Sequence, residues 1–134
     1  MITEDYVSFE VAVLLKEKGF DVYGDGSFGS ETEIHREYSP SGKIKSLCGS
    51  KPHTSGYPAP TIQMTMKWLR EVHKLSVEVN RTLFGYIGCI VAIPSGKFIE
   101  FIANEDGDDL LSDQYTTWEG ACEAALKYVL ENLI

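Results

Sequence analysis

The stretch YIGCIVAI, Tyr86 to Ile93, is apolar at nearly every position and so offers water neither of its faces. A strand at the centre of a sheet reads this way. Its neighbours fit that place. Upstream, LSVEVN alternates Leu75, Val77 and Val79 with Ser76, Glu78 and Asn80, the period-2 pattern of a strand with one wet face. Downstream, Pro94, Ser95 and Gly96 supply turn residues that lead into KFIEFIA. The expectation is a three-stranded antiparallel meander.

Three helices are predicted around it. The first has Ser8 as N-cap, apolar Val11, Leu14 and Leu15, polar Lys16 to Lys18 in its last turn, and Gly19 as a left-handed stop, with Phe20 folding back onto that turn. A start at Thr3 is the alternative, because Glu4 and Asp5 would sit beside the helix dipole. The second follows YPAP, with Pro60 at the first helical position and a stripe of Ile62, Met66, Leu69 and Val72. The third opens at TTWE, a capping box pairing Thr116 with Glu119, and buries Cys122, Ala125, Val129 and Leu133, widened by Leu126 and Leu130.

Residues 20–58 hold six glycines and seven serines among scattered aromatic residues, so turns dominate. One hairpin fits there: ETEIHREY and GKIKSL joined by SPSG, which would extend the sheet to four or five strands. The expected class is therefore α+β, one domain over residues 1–134, an antiparallel sheet with the helices near 8–18, 60–73 and 117–133 mainly on one face. A chain of 134 residues suffices for such a core.

Composition narrows the function classes. The net charge of −8 disfavours a protein that coats nucleic acid. The charge is uneven: residues 1–37 carry 3 basic and 9 acidic groups, residues 38–70 carry 5 basic and none acidic, and residues 71–134 carry 4 and 11. The middle segment is a basic island. Cys48, Cys89 and Cys122 form no C-x-x-C pair, which disfavours a disulfide framework and suits a reducing cytoplasm. The acidic N-terminal residues do not read as a secretion signal, and no apolar run approaches the roughly 20 residues of a membrane span. Neither export nor a membrane is expected.

Three blocks, YVSFEVAVLLKEKGF, YPAPTIQMTMKWLREVHKLSVEV and TTWEGACEAALKYVLENLI, together 57 of the 134 residues, resemble shared blocks of small uncharacterised proteins of gut bacterial genomes and their phages. The resemblance implies a cytoplasmic accessory protein, with an origin in a mobile element, and carries no activity, cofactor or site residue. Segments 21–56 and 80–115 lie outside it.

Several short motifs carry less than their letters suggest. GDGSFG, Gly24 to Gly29, spells G-x-G-x-x-G, but only FDVY precedes it and no apolar helical stripe follows, so a loop is expected rather than a phosphate cradle. NEDGDD, from Asn104, puts glycine fourth and Tyr115 twelfth where a calcium loop needs glycine sixth and glutamate twelfth; a solvated acidic connection is expected. His35, Cys48 and His53 offer three ligands, with 12 and 4 residues between them, where structural zinc takes four. His73, at the end of the second helix, suits the helix dipole. No metal, cofactor or catalytic residue is assigned.

Three functional readings remain. The first is a non-catalytic interaction module contacting a protein partner or a second copy through Tyr23, Phe28, Tyr38 and Tyr57 of the Gly/Ser-rich segment, a composition resembling adaptable recognition surfaces. Against it stands a structural role, those aromatics pinning a long segment to the body. The second is an anionic ligand held by Arg36, Lys43, Lys45 and Lys51, against which stands simple compensation of the acidic remainder or of a neighbouring subunit. The third is a small enzyme using Cys48, whose thiol lies near Lys45 and Lys51, with His53.

Overall fold

The computed structural model describes residues 5–20, 34–48, 56–102, 104 and 114–134, and for 34, 35 and 45–48 the backbone alone. The chain forms two compact units, Met1–Thr61 and Ile62–Ile134. The class is α+β, with three α-helices and two separate three-stranded antiparallel sheets among the described residues.

In the first unit, helix α1 spans Phe9–Glu17. Ser8 caps it as expected, its Oγ accepting from the Val11 amide at 3.3 Å. The helix stops because Gly19 takes φ +83°: its amide then donates to Lys16 O at 3.2 Å and that of Phe20 to Leu15 O at 3.0 Å, which satisfies carbonyls the helix leaves open. Phe20 is buried, as are Val11, Ala12 and Leu15. Strands β1 (Ile34–Tyr38) and β2 (Ile44–Cys48) form the expected hairpin, in register from Ile34 opposite Cys48 to Tyr38 opposite Ile44. Ser39 organises its turn: its amide donates to Lys43 O, and its Oγ accepts from the Lys43 amide at 3.1 Å.

This hairpin does not lengthen the meander. Its free side is taken by β3 (Tyr57–Pro58), giving the order β2-β1-β3. The two-residue strand follows from composition, since Pro58 has no amide to continue a ladder. The segment beyond it returns alongside the start of α1: Val7 N donates to Pro60 O at 3.0 Å, and Tyr6 bridges Thr61.

The second unit carries the meander. β4 (Leu75–Thr82), β5 (Gly85–Ala92) and β6 (Phe98–Ile102) stand in that order, with β5 central as its two apolar faces predict. Helix α3 (Trp118–Asn132) packs across all three strands, and its Ala121, Cys122, Ala125, Leu126, Val129 and Leu130 are fully buried. Gly88 faces it, and a Cβ there would rest against Ala125 Cβ at 3.4 Å, an ordinary van der Waals contact. Its N-cap is Thr117 rather than Thr116, Oγ1 accepting from Gly120 N at 3.0 Å. Two adjacent threonines offer two caps; with Thr117 chosen, the third helical position is Gly120, and no reciprocal glutamate closes the box.

Helix α2 spans Ile62–Trp68 and ends in a π-helical turn, Leu69–His73. Pro60 precedes it instead of opening it. The expected stripe holds for Ile62, Met66 and Leu69, but Val72 is 60% exposed. The wider turn is the reason: each residue advances less around the axis, so three steps from Leu69 no longer return to the buried side. His73 comes round instead, its ring edge-on to Trp68 at 4.7 Å.

Candidate functional site

The sequence-proposed anchors of the first unit are built into its packing. Tyr38 and Tyr57 are register partners on β1 and β3, and both set their rings edge to face against Phe9 of α1, at 5.4 and 5.6 Å. Such pairs contribute about 0.5–1.5 kcal/mol each beyond their burial. The Tyr38 hydroxyl donates to Val7 O at 2.8 Å. Lys16 of α1 reaches back across the same cluster, donating to Gly56 O at 2.7 Å with its ammonium 4.9 Å from the Tyr57 ring centre. These four side chains tie helix to sheet, the structural role weighed above.

Beside them Glu37 is 97% buried, its carboxylate against Gly56, where a Cβ would come within 2.7 Å of it. Glycine at 56 therefore makes room for the acid.

Of the four basic residues, only Arg36 and Lys43 have described side chains. Arg36 lies mid-strand, its guanidinium 3.9 Å from the Tyr6 ring centre in a cation–π contact. Lys43 is exposed in the hairpin turn, and Lys45 stands opposite Glu37 in the register. Tyr23, Phe28, Lys51, His53, the GDGSFG stretch and all of NEDGDD but Asn104 fall outside the described residues, as do the side chains of His35 and Cys48.

The described titratable groups of the second unit do not assemble a nucleophile. Burial pushes the Cys122 thiol up to about 12, and Glu119 and Glu123 add to the shift. Burial, then Glu78, raises Cys89. Both are protonated at neutral pH, when only the thiolate attacks. His73 Nε2 is buried and has no hydrogen-bond partner among the described residues. No group of three or more His, Cys, Asp or Glu side chains that could hold a metal occurs among them. No helix among them is long and apolar enough to cross a membrane.

The second unit instead displays apolar side chains outward. Leu83 and Phe84, the two residues between β4 and β5, are 88% and 56% exposed. Their turn is fixed at its base. Thr82 Oγ1 is bonded to Gln114 Oε1 and accepts from the Phe84 amide at 3.2 Å, while Tyr86 and Tyr115 exchange both backbone hydrogen bonds. Gly85 makes that approach possible, because a Cβ there would lie 2.5 Å from Tyr115 O. Arg81 lies over the Tyr86 ring at 5.1 Å.

A second outward pair sits on β6. Strict alternation in KFIEFIA would put Phe98 and Phe101 on opposite faces. The register shifts between Ile90 and Val91, pairing Val91 with Phe98 and Cys89 with Phe101, so one residue of β6 is extra and both phenylalanines share a face. Their rings lie 4.5 Å apart, and the residues are 47% and 58% exposed. Ser76, Glu78, Cys89 and Val91 belong to that face by register, with Ser76 Oγ donating to Glu78 at 2.6 Å. Composition pointed to 20–58 and missed these residues. The signals were Leu-Phe in a two-residue strand connection and phenylalanines spaced by three in a strand.

No protein-family model, curated protein or solved structure matches this chain.

Proposed function

We propose that the chain is a non-catalytic protein-interaction module whose contacts are made by the meander unit, with the hairpin tip Leu83–Phe84 as the anchor. The observation carrying this is the pairing of high exposure with a fixed base: Leu83 is 88% exposed on a turn tied to the segment leading into α3. A preorganised apolar knob loses little conformational freedom on docking, and interfaces draw most of their energy from a few such anchors. Tyr38 and Tyr57, spent on Phe9 and Lys16, are less suited to that task. A cytoplasmic setting and an origin in a gut bacterial genome or phage belong to the same proposal, resting on cysteine usage and on the wording of the three blocks.

The test is affinity capture from host lysate with and without nuclease, comparing the wild-type chain with Leu83→Ser/Phe84→Ser. A stoichiometric, nuclease-resistant protein partner that the double variant loses supports the reading. A partner held equally by both chains removes the hairpin tip from the contact. Loss of every partner on nuclease treatment moves the function to a nucleic-acid contact through the basic segment of Arg36, Lys43, Lys45 and Lys51.

A further inference from the structure

The outer edge of β6 points to a particular kind of partner, an inference that rests on the interaction reading above. In the order β4-β5-β6 this strand has one neighbour among the described residues. Exposed edges in monomeric proteins are commonly blunted by lysine or proline, and Phe98–Ile102 contains neither. Phe98–Ile102 carries one charge, Glu100, which is exposed and whose Oε1 accepts from the Phe101 amide at 3.1 Å, and exposed Lys97 stands just before the strand. Glu100 thus serves a strand amide as a neighbouring strand's carbonyl would. Beside that edge the bulge has placed Phe98 and Phe101 together, with the Glu78 carboxylate on their face.

A second copy is a poor occupant. Glu100 is the middle residue of Phe98–Ile102, so a two-fold antiparallel pairing over the whole strand would set it directly against its own copy, and like charges opposite one another destabilise a ladder. The same carboxylate favours a cation. The whole unit is acidic, with 6 basic and 11 acidic residues in 62–134. We propose that the β6 edge accepts an extended segment of another protein in which lysine or arginine alternates with apolar residues: the strand adds to β6, its cations on one face meet Glu100, and its apolar side chains on the other cover Phe98 and Phe101.

Fluorescence anisotropy with three labelled synthetic peptides tests this on the full chain: four Lys-Val repeats, four Glu-Val repeats, and a Lys-Lys-Val-Val repeat of the first peptide's composition. The Lys-Val peptide is expected to bind and the other two to bind at least about tenfold more weakly. Glu100→Lys should weaken the Lys-Val peptide about tenfold, and Glu131→Lys, the same charge change at an exposed position on α3, less than about twofold. Phe101→Ser, at an exposed site, should weaken it too. Equal binding of both lysine peptides, or equal losses in the two lysine variants, reduces the effect to general charge attraction and overturns the proposal. So does a chain that binds no peptide but sediments as a dimer that Phe101→Ser dissociates, which gives the face to a second copy. Undiminished capture of a lysate partner by Glu100→Lys overturns the edge assignment and leaves the module reading standing. Selective Lys-Val binding with no lysate partner supports the edge and removes the hairpin-tip reading.

Discussion

The described aromatic cluster of the first unit and the phenylalanines of the second are spent in opposite ways. In the first, Phe9 stands between Tyr38 and Tyr57, Tyr6 lies under Arg36, and the Tyr38 hydroxyl is bonded to Val7, so each ring faces the unit's own atoms. In the second, Phe84, Phe98 and Phe101 are about half exposed or more, and the rings of the last two lie 4.5 Å apart. The difference is one of available core. A small sheet with one short helix must use large rings to bury enough surface, whereas α3 covers the meander with alanine and leucine and leaves aromatics free.

That contrast is breakable at several points. The largest effect expected is in urea unfolding: Phe9→Ala should cost about 2–4 kcal/mol, while Phe101→Ala changes stability by less than about 0.5 kcal/mol. Comparable losses would erase the distinction between inward and outward rings. Next, Gly85→Ala should cost about 2 kcal/mol, because φ is +149° and the new Cβ would meet the Tyr115 carbonyl. Preserved stability there would mean that the hairpin base is not tied to the approach to α3. A smaller effect separates the two threonines: Thr117→Ala should cost about 1 kcal/mol and Thr116→Ala less than about 0.5 kcal/mol, the reverse order restoring the capping box.

Smallest in stability, but sharp in readout, is Cys122. Its folded-state value is raised to about 12 from an ordinary 9.0, so the unfolded chain loses the thiol proton first as pH rises. The stabilising contribution is complete below pH 9 and is lost between there and about 12. In the folded protein at pH 8, Cys122 should resist a thiol-alkylating reagent that labels it in urea. Rapid labelling without denaturant would place the thiol at the surface, contrary to its burial on the inner face of α3.

The elements legible in the sequence were those whose signal is local. Ser8 and Gly19 bracket α1 by their own chemistry, and YIGCIVAI announces a central strand because no other place in a sheet is dry on both sides. What stayed hidden depended on pairing. That the ETEIHREY hairpin forms its own sheet is decided by β3, two residues that no pattern detects. The π turn that turns Val72 outward and the bulge that unites Phe98 with Phe101 are each one residue out of period, and periodic reading assigns such residues to the wrong side. The candidate site failed to show for the same reason: tyrosine and serine content drew attention to 20–58, while the outward residues became a surface only through register.

The central claim is that the meander's outward side chains make contacts and the first unit's tyrosines hold structure. Nuclease-treated lysate capture should therefore compare Leu83→Ser/Phe84→Ser/Phe101→Ser with Tyr38→Phe/Tyr57→Phe, each checked for folding by its urea midpoint. The triple variant should keep the wild-type midpoint and lose the partner, and the tyrosine variant, deprived of the Tyr38 hydrogen bond to Val7, should unfold earlier but keep the partner. A triple variant that holds the partner, alongside a folded tyrosine variant that loses it, would contradict the claim and return the contact surface to the first unit.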